Sequence, residues 1–138
     1  SLGAPGTLLA AAATKTDAII TAPPLQPFKP KIGPLTRERL EAGHGWLEQL
    51  PDDRWFIQVF ATNANQHAEV EALLSMLSSS QSEMSNTHVY YSELSGKPRF
   101  GVTYGDYPTM TAASAAIREL PNPLRGNNPY PRMIARLR

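Results

Sequence analysis

At 138 residues and 15.1 kDa, with 41% hydrophobic and 18% charged residues and a net charge of +1, the chain holds one small domain. It lacks the strongly basic balance expected of a general polyanion binder. The absence of cysteine excludes a disulfide framework, a thiolate metal site and a cysteine nucleophile, and leaves the redox compartment open.

Six of the 13 prolines fall between Pro5 and Pro34, where Ala, Thr and Pro dominate and large apolar residues are too sparse to bury a core. Residues 1–35 therefore read as a flexible Pro/Ala-rich linker. The longest apolar run there is the six residues from Leu8 to Ala13, far short of the roughly 20 needed to cross a bilayer. The chain begins at Ser1 with no basic n-region, so it reads as a piece of a longer protein whose targeting signals lie upstream.

Residues 36–50 are predicted to form an N-terminal helix. Leu40, Leu47 and Leu50 make one stripe with Trp46 beside it, Gly43 and Gly45 weaken it, and Pro51 ends it. An amphipathic stripe with a Trp is expected to dock on the domain rather than stay in water. The domain proper is assigned to residues 51–138. Trp55 to Thr62 is rich in aromatic and β-branched residues and reads as a buried strand. Asn63 and Gln66 resemble a capping pair that opens a helix with Val70, Leu73, Leu74 and Leu77 on one stripe, closed by Ser78 to Ser80.

Val89 to Leu94 and Phe100 to Tyr104 read as strands joined by the turn Ser95-Gly96-Lys97-Pro98. Thr109 or Thr111 caps a second helix with Ala113, Ala116, Ile117 and Leu120 on its stripe, stopped by Pro121. Arg132 to Leu137 alternates basic with apolar residues and supplies a last strand. The order β-α-β-β-α-β predicts an α+β fold of the RNP or ferredoxin-like split βαβ type. Its four-stranded antiparallel sheet would carry two helices on one face, with an extra N-terminal helix.

Two helices on one face leave the other face for a ligand or a cover. Alternation turns Ile57, Val59, Val102 and Tyr104 toward the helices. It turns Phe56, Gln58, Phe60, Arg99, Gly101 and Thr103 outward, and these six are the candidate binding residues. Aromatic rings beside amides and an arginine suit a sugar or a base, whereas a cover by the N-terminal helix would make the same face a closed core. No catalytic constellation forms. His44, His67 and His88 lack metal-ligand spacing, Asp52 and Asp53 suit a turn, Glu69 and Glu71 point apart, and no GxSxG elbow or phosphate-binding glycine loop is present. The expectation is a non-enzyme with no cofactor and no metal.

Several motifs in sequence resemble the SPOR domain, a βαββαβ module of bacterial envelope and cell-division proteins, in the version found in DamX-like division proteins. They are Leu50-Pro51 before a strand containing Gln58, then Gly96-Lys97-Pro98-Arg99-Phe100, then Gly105-Asp106-Tyr107-Pro108-Thr109. The alanine-rich helix ending Leu120-Pro121 and the run Asn128-Pro129-Tyr130-Pro131 follow. The resemblance covers about residues 50–137. It implies binding of peptidoglycan glycan strands stripped of stem peptides, on the sheet face away from the helices, at the septum. It also implies a periplasmic location and an inner-membrane anchor upstream of these residues.

Gln58 matches the glutamine typical of the family's first strand. Arg99 stands where DamX-like relatives often have Trp, Gly101 where some have a basic residue, and Ala61 where some have serine. Arg99 could meet the lactyl carboxylate of muramic acid. Other division or envelope proteins are the alternative partners, with the fold serving protein contacts. An RNA-recognition domain shares the strand order, and Phe100 to Tyr104 partly resembles its RNP1 motif. But Val102 stands where that motif needs an aromatic, and the expectation is no nucleic acid partner.

Overall fold

The computed structural model describes residues 31–138, of which Ile32–Arg138 form one compact unit. Nearly all of the segment read as a linker lies outside the described residues. The first helix, α1 (Pro34–Gln49), starts two residues earlier than the apolar stripe suggested, with proline in its first turn, where a missing N–H is harmless.

Strand β1 (Trp55–Asn63) leads through a 3₁₀ turn into α2 (His67–Ser75). A short α3 (Gln81–Ser85) precedes β2 (Thr87–Ser92), and the hairpin partner is β3 (Arg99–Tyr107). Then come α4 (Met110–Ala116) and β4 (Tyr130–Met133). The sheet order is β2-β3-β1-β4 with every neighbouring pair antiparallel. The units β1-α2-β2 and β3-α4-β4 thus interleave, giving a ferredoxin-like α+β fold, with α2 and α4 both packed on the central strands β1 and β3.

The helix-facing side is the core. Ile57, Val89, Phe100 and Val102 from the strands meet Val70, Leu74 and Leu77 from the α2 segment and Ala113 and Leu120 from the α4 segment, all essentially inaccessible. Each large side chain buried this way contributes about 1.5–3 kcal/mol. Thr109 caps α4 by accepting from the Ala112 N–H at 3.1 Å.

Three local expectations are corrected. The Asn63/Gln66 pair makes no side-chain cap; Gln66 Oε1 instead accepts from Thr62 Oγ1 at 2.9 Å. Helix α2 ends at Ser75, before the serine cluster expected to close it, and Ser80 instead caps α3 by accepting from Glu83 N–H at 3.3 Å. The last strand is not residues 132–137. Met133 pairs with Trp55, the first residue of β1, and beyond it only single bonds continue, from Ile134 N–H to the Arg54 carbonyl at 2.8 Å and from Ala135 N–H to the Asp52 carbonyl at 3.1 Å. The chain turns into a 3₁₀ segment, Ile134–Leu137, which buries Ile134 fully.

Helix α1 packs on the edge strand β2 and on α2. Its start is held by Glu71, whose carboxylate accepts from Leu35 N (3.2 Å), Thr36 N (2.8 Å) and Thr36 Oγ1 (2.8 Å). This is a cap supplied by another helix, and a carboxylate there also suits the helix dipole. Arg39 Nη1 donates to the carbonyls of Met84 and Thr87 at 3.0 Å each. Gly43 lies directly on the β2 backbone, where a Cβ would overlap the Val89 carbonyl oxygen. The buried stripe of α1 is therefore Thr36 and Gly43, while Leu40 and Leu47 are only half-buried. Small residues, not leucines, set the docking distance, so Gly43, which reads as a weakness in the sequence, is what permits the approach. At the C-terminal end, Arg138 Nη1 pairs with Asp52 at 2.5 Å, and its Nη2 donates to the carbonyl of Leu47.

Candidate functional site

Cross-strand partners share a face, so the register identifies the outward side of the sheet. His88, Thr103 and Gln58 lie in one row across β2, β3 and β1; Tyr90, Gly101 and Ala61 in the next; Ser92, Arg99 and Asn63 in the last. On β4, Arg132 is opposite Phe56 and Tyr130 is opposite Gln58.

Trp46 of α1 reaches over one end of this face. Its ring stacks on His88, with centroids 4.5 Å apart and planes 5° apart, and meets Phe56 edge-on at 6.1 Å. Phe56, which it touches, and Thr103, the cross-strand partner of His88, are both fully buried. His88 pays for this position in basicity: burial, then the Arg39 guanidinium, push its pKa down to about 4, against a smaller opposing pull from Asp106. Asp106 itself is paired with Arg54 at 2.8 Å.

The middle of the face is a closed polar triangle. Tyr90 extends over Gly101, where a side chain would collide with the tyrosine ring, and its hydroxyl donates to Gln58 Oε1 at 2.9 Å. Arg132 Nη1 donates to the same Oε1 and to the Tyr90 hydroxyl, both at 2.8 Å. Gln58 Nε2 is pinned to the carbonyl of Phe60 at 2.9 Å. Gln58 is 3% exposed, its Oε1 accepts from both Tyr90 and Arg132 and its Nε2 is anchored on Phe60, so its role is to orient Arg132.

The β-bulge between Gln58 and Phe60 corrects the expected alternation. Gln58 pairs with Thr103 but Phe60 pairs with Val102, so one extra residue, Val59, turns Phe60 to the helix side, where it is half-buried. Of the six candidate residues, then, Phe56 and Thr103 are covered, Phe60 faces away, Gly101 lies under Tyr90, and Gln58 supports another group. Arg99 alone is on the accessible part of the face, half-exposed, with Nη1 3.4 Å from Asn63 Oδ1.

The accessible surface consists of Ala61, Asn63, Ser92, Arg99, Arg132 and Tyr130, the last of which is 50% exposed. Arg99 and Arg132 have no carboxylate partner among the described residues. The face therefore offers one aromatic plate, an amide, a hydroxyl and two unneutralised guanidinium groups. Tyr90, Arg132, Tyr130 and Trp46 were missed as site residues. The signals available for them were a glycine inside β3, which marks close approach of another group, and the regular spacing of Tyr130 and Arg132 after a loop.

Among the described residues, no cluster of three or more His, Asp or Glu is placed to hold a metal ion, and no helix is long and apolar enough to cross a membrane. The sequence matches no protein-family model and no curated protein.

Proposed function

We propose that the protein binds peptidoglycan glycan strands without cleaving them, through the accessible part of the outward sheet face. The observation that carries this reading is the pairing of an exposed ring, Tyr130, with an arginine held rigidly by Gln58 and Tyr90. A pyranose ring needs a flat apolar plate and directional hydrogen-bonding groups beside it, and both are provided. The SPOR resemblance supports the same face and ligand, and with them a periplasmic, septal role and an inner-membrane anchor upstream.

RNA is the weaker fit. Base stacking on this strand order needs aromatic rings outward on the two central strands. Here Phe56 is under Trp46, Phe60 faces the helices and Phe100 is fully buried.

The test is co-sedimentation of the 138-residue chain with intact sacculi and with amidase-treated sacculi, beside retention of a single-stranded RNA pool, at two salt concentrations. The reading expects most binding to amidase-treated sacculi, several-fold loss in Tyr130→Ala, and no RNA retention at the higher salt. Equal, weak association with all three would overturn it.

A further inference from the structure

Arg132 carries five N–H groups, and the triangle uses both of those on Nη1. Its Nε and Nη2 have no protein acceptor among the described residues, yet neither is a buried orphan; only Arg39 Nε and His88 Nδ1 are. The Nε/Nη2 edge therefore reaches solvent. That edge presents two parallel N–H groups at the spacing of the two oxygens of a carboxylate.

The charge on this edge has no internal answer. Among the described residues no carboxylate pairs with Arg132; Asp106, whose charge acts on His88, is paired with Arg54, and Arg99 adds a second cation on the same side. A half-buried guanidinium locked by two hydrogen bonds on one side and open on the other has already lost most of its rotamer freedom. A ligand carboxylate would therefore meet a preformed fork.

We propose that Arg132 is a carboxylate-reading residue: its Nε/Nη2 edge takes the free lactyl carboxylate of a muramic-acid-containing glycan in bidentate fashion, with Gln58 and Tyr90 as positioning residues. This rests on the glycan reading above and adds its selectivity. A stem peptide converts that carboxylate to an amide, which removes the charge and one of the two acceptor oxygens. Discrimination between bare and peptide-bearing strands then follows from one arginine edge rather than from steric exclusion.

The experiment uses the full chain and three soluble probes: a muramic-acid-containing oligosaccharide with free carboxylates, the same oligosaccharide with its carboxylates converted to methylamides, and oligouridylate. Calorimetric titration should show the free acid binding at least about tenfold more tightly than the methylamide, and the two forms should bind Arg132→Gln with the same affinity. Equal affinity of native protein for acid and methylamide would overturn the carboxylate claim while leaving the glycan reading in place. Binding of neither form would overturn the glycan reading itself, and tighter binding of oligouridylate than of the acid would make the occupant a nucleic acid. Since the decisive comparison varies the ligand on the native chain, misfolding of the variant cannot produce it.

Discussion

Two glycines two residues apart in α1, on opposite sides of the helix, should respond to the same substitution with opposite signs. Helix propensity alone says that Gly43→Ala and Gly45→Ala each gain about 1 kcal/mol. At Gly45 nothing lies within 4 Å of an added Cβ, so Gly45→Ala should realise about 0.5–1 kcal/mol of stabilisation. At Gly43 the new methyl meets the carbonyl oxygen of Val89 and stands 3.3 Å from its carbon. Backbone in the edge strand of a sheet cannot rotate away as a side chain can, so α1 must lift. Overpacking of this kind costs about 1–3 kcal/mol, and lifting α1 also loosens the Trp46 stack on His88. The net expectation for Gly43→Ala is a loss of about 1–2 kcal/mol. Urea denaturation followed by tryptophan fluorescence measures both variants against the native chain. A Gly43→Ala protein as stable as native or more so would refute the close docking of α1 on β2.

Glu71→Ala removes three hydrogen bonds at the start of α1 and should cost about 1–2 kcal/mol, with Glu71→Gln in between, as read from thermal melts. Gly101→Ala should displace the Tyr90 ring and free Arg132, lowering glycan affinity more than stability; an unchanged affinity would remove the triangle from the binding account. His88 titrates at about 4 in the fold against 6.5 unfolded, so the folded state holds fewer protons and stability falls as pH drops from 6.5 toward 4. Allowing for partial exposure, this is about 1 kcal/mol. His88→Phe should flatten that part of the pH-stability curve, and an identical slope in the variant would mean that His88 does not cause it.

The elements that packing periodicity controls were legible in the sequence. Val70, Leu73, Leu74 and Leu77 announced α2, and the β-branched run from Trp55 announced β1. What alternation could not foresee was the bulge at Val59, because an inserted residue changes phase without leaving a compositional mark. That single residue moved Phe60 from the outward face to the other. Trp46 is a different case: its amphipathic stripe said that it docks, and left open whether the helix covers the outward face; it lands on Phe56 and His88 at one end of that face, since the place where a helix lands depends on which surface admits it. The triangle of Gln58, Tyr90 and Arg132 joins three strands far apart in sequence, and only the register brings them together.

The most direct test of glycan recognition by the outward face is a two-dimensional NMR titration of the labelled chain with a soluble glycan oligosaccharide lacking stem peptides. The account predicts that shift changes cluster at Ala61 and Asn63 of β1, Tyr90 and Ser92 of β2, Arg99 and Gly101 of β3, and Tyr130 and Arg132 of β4, with α2 and α4 unmoved. Changes concentrated on α2 and α4, or none at saturating oligosaccharide, would contradict it.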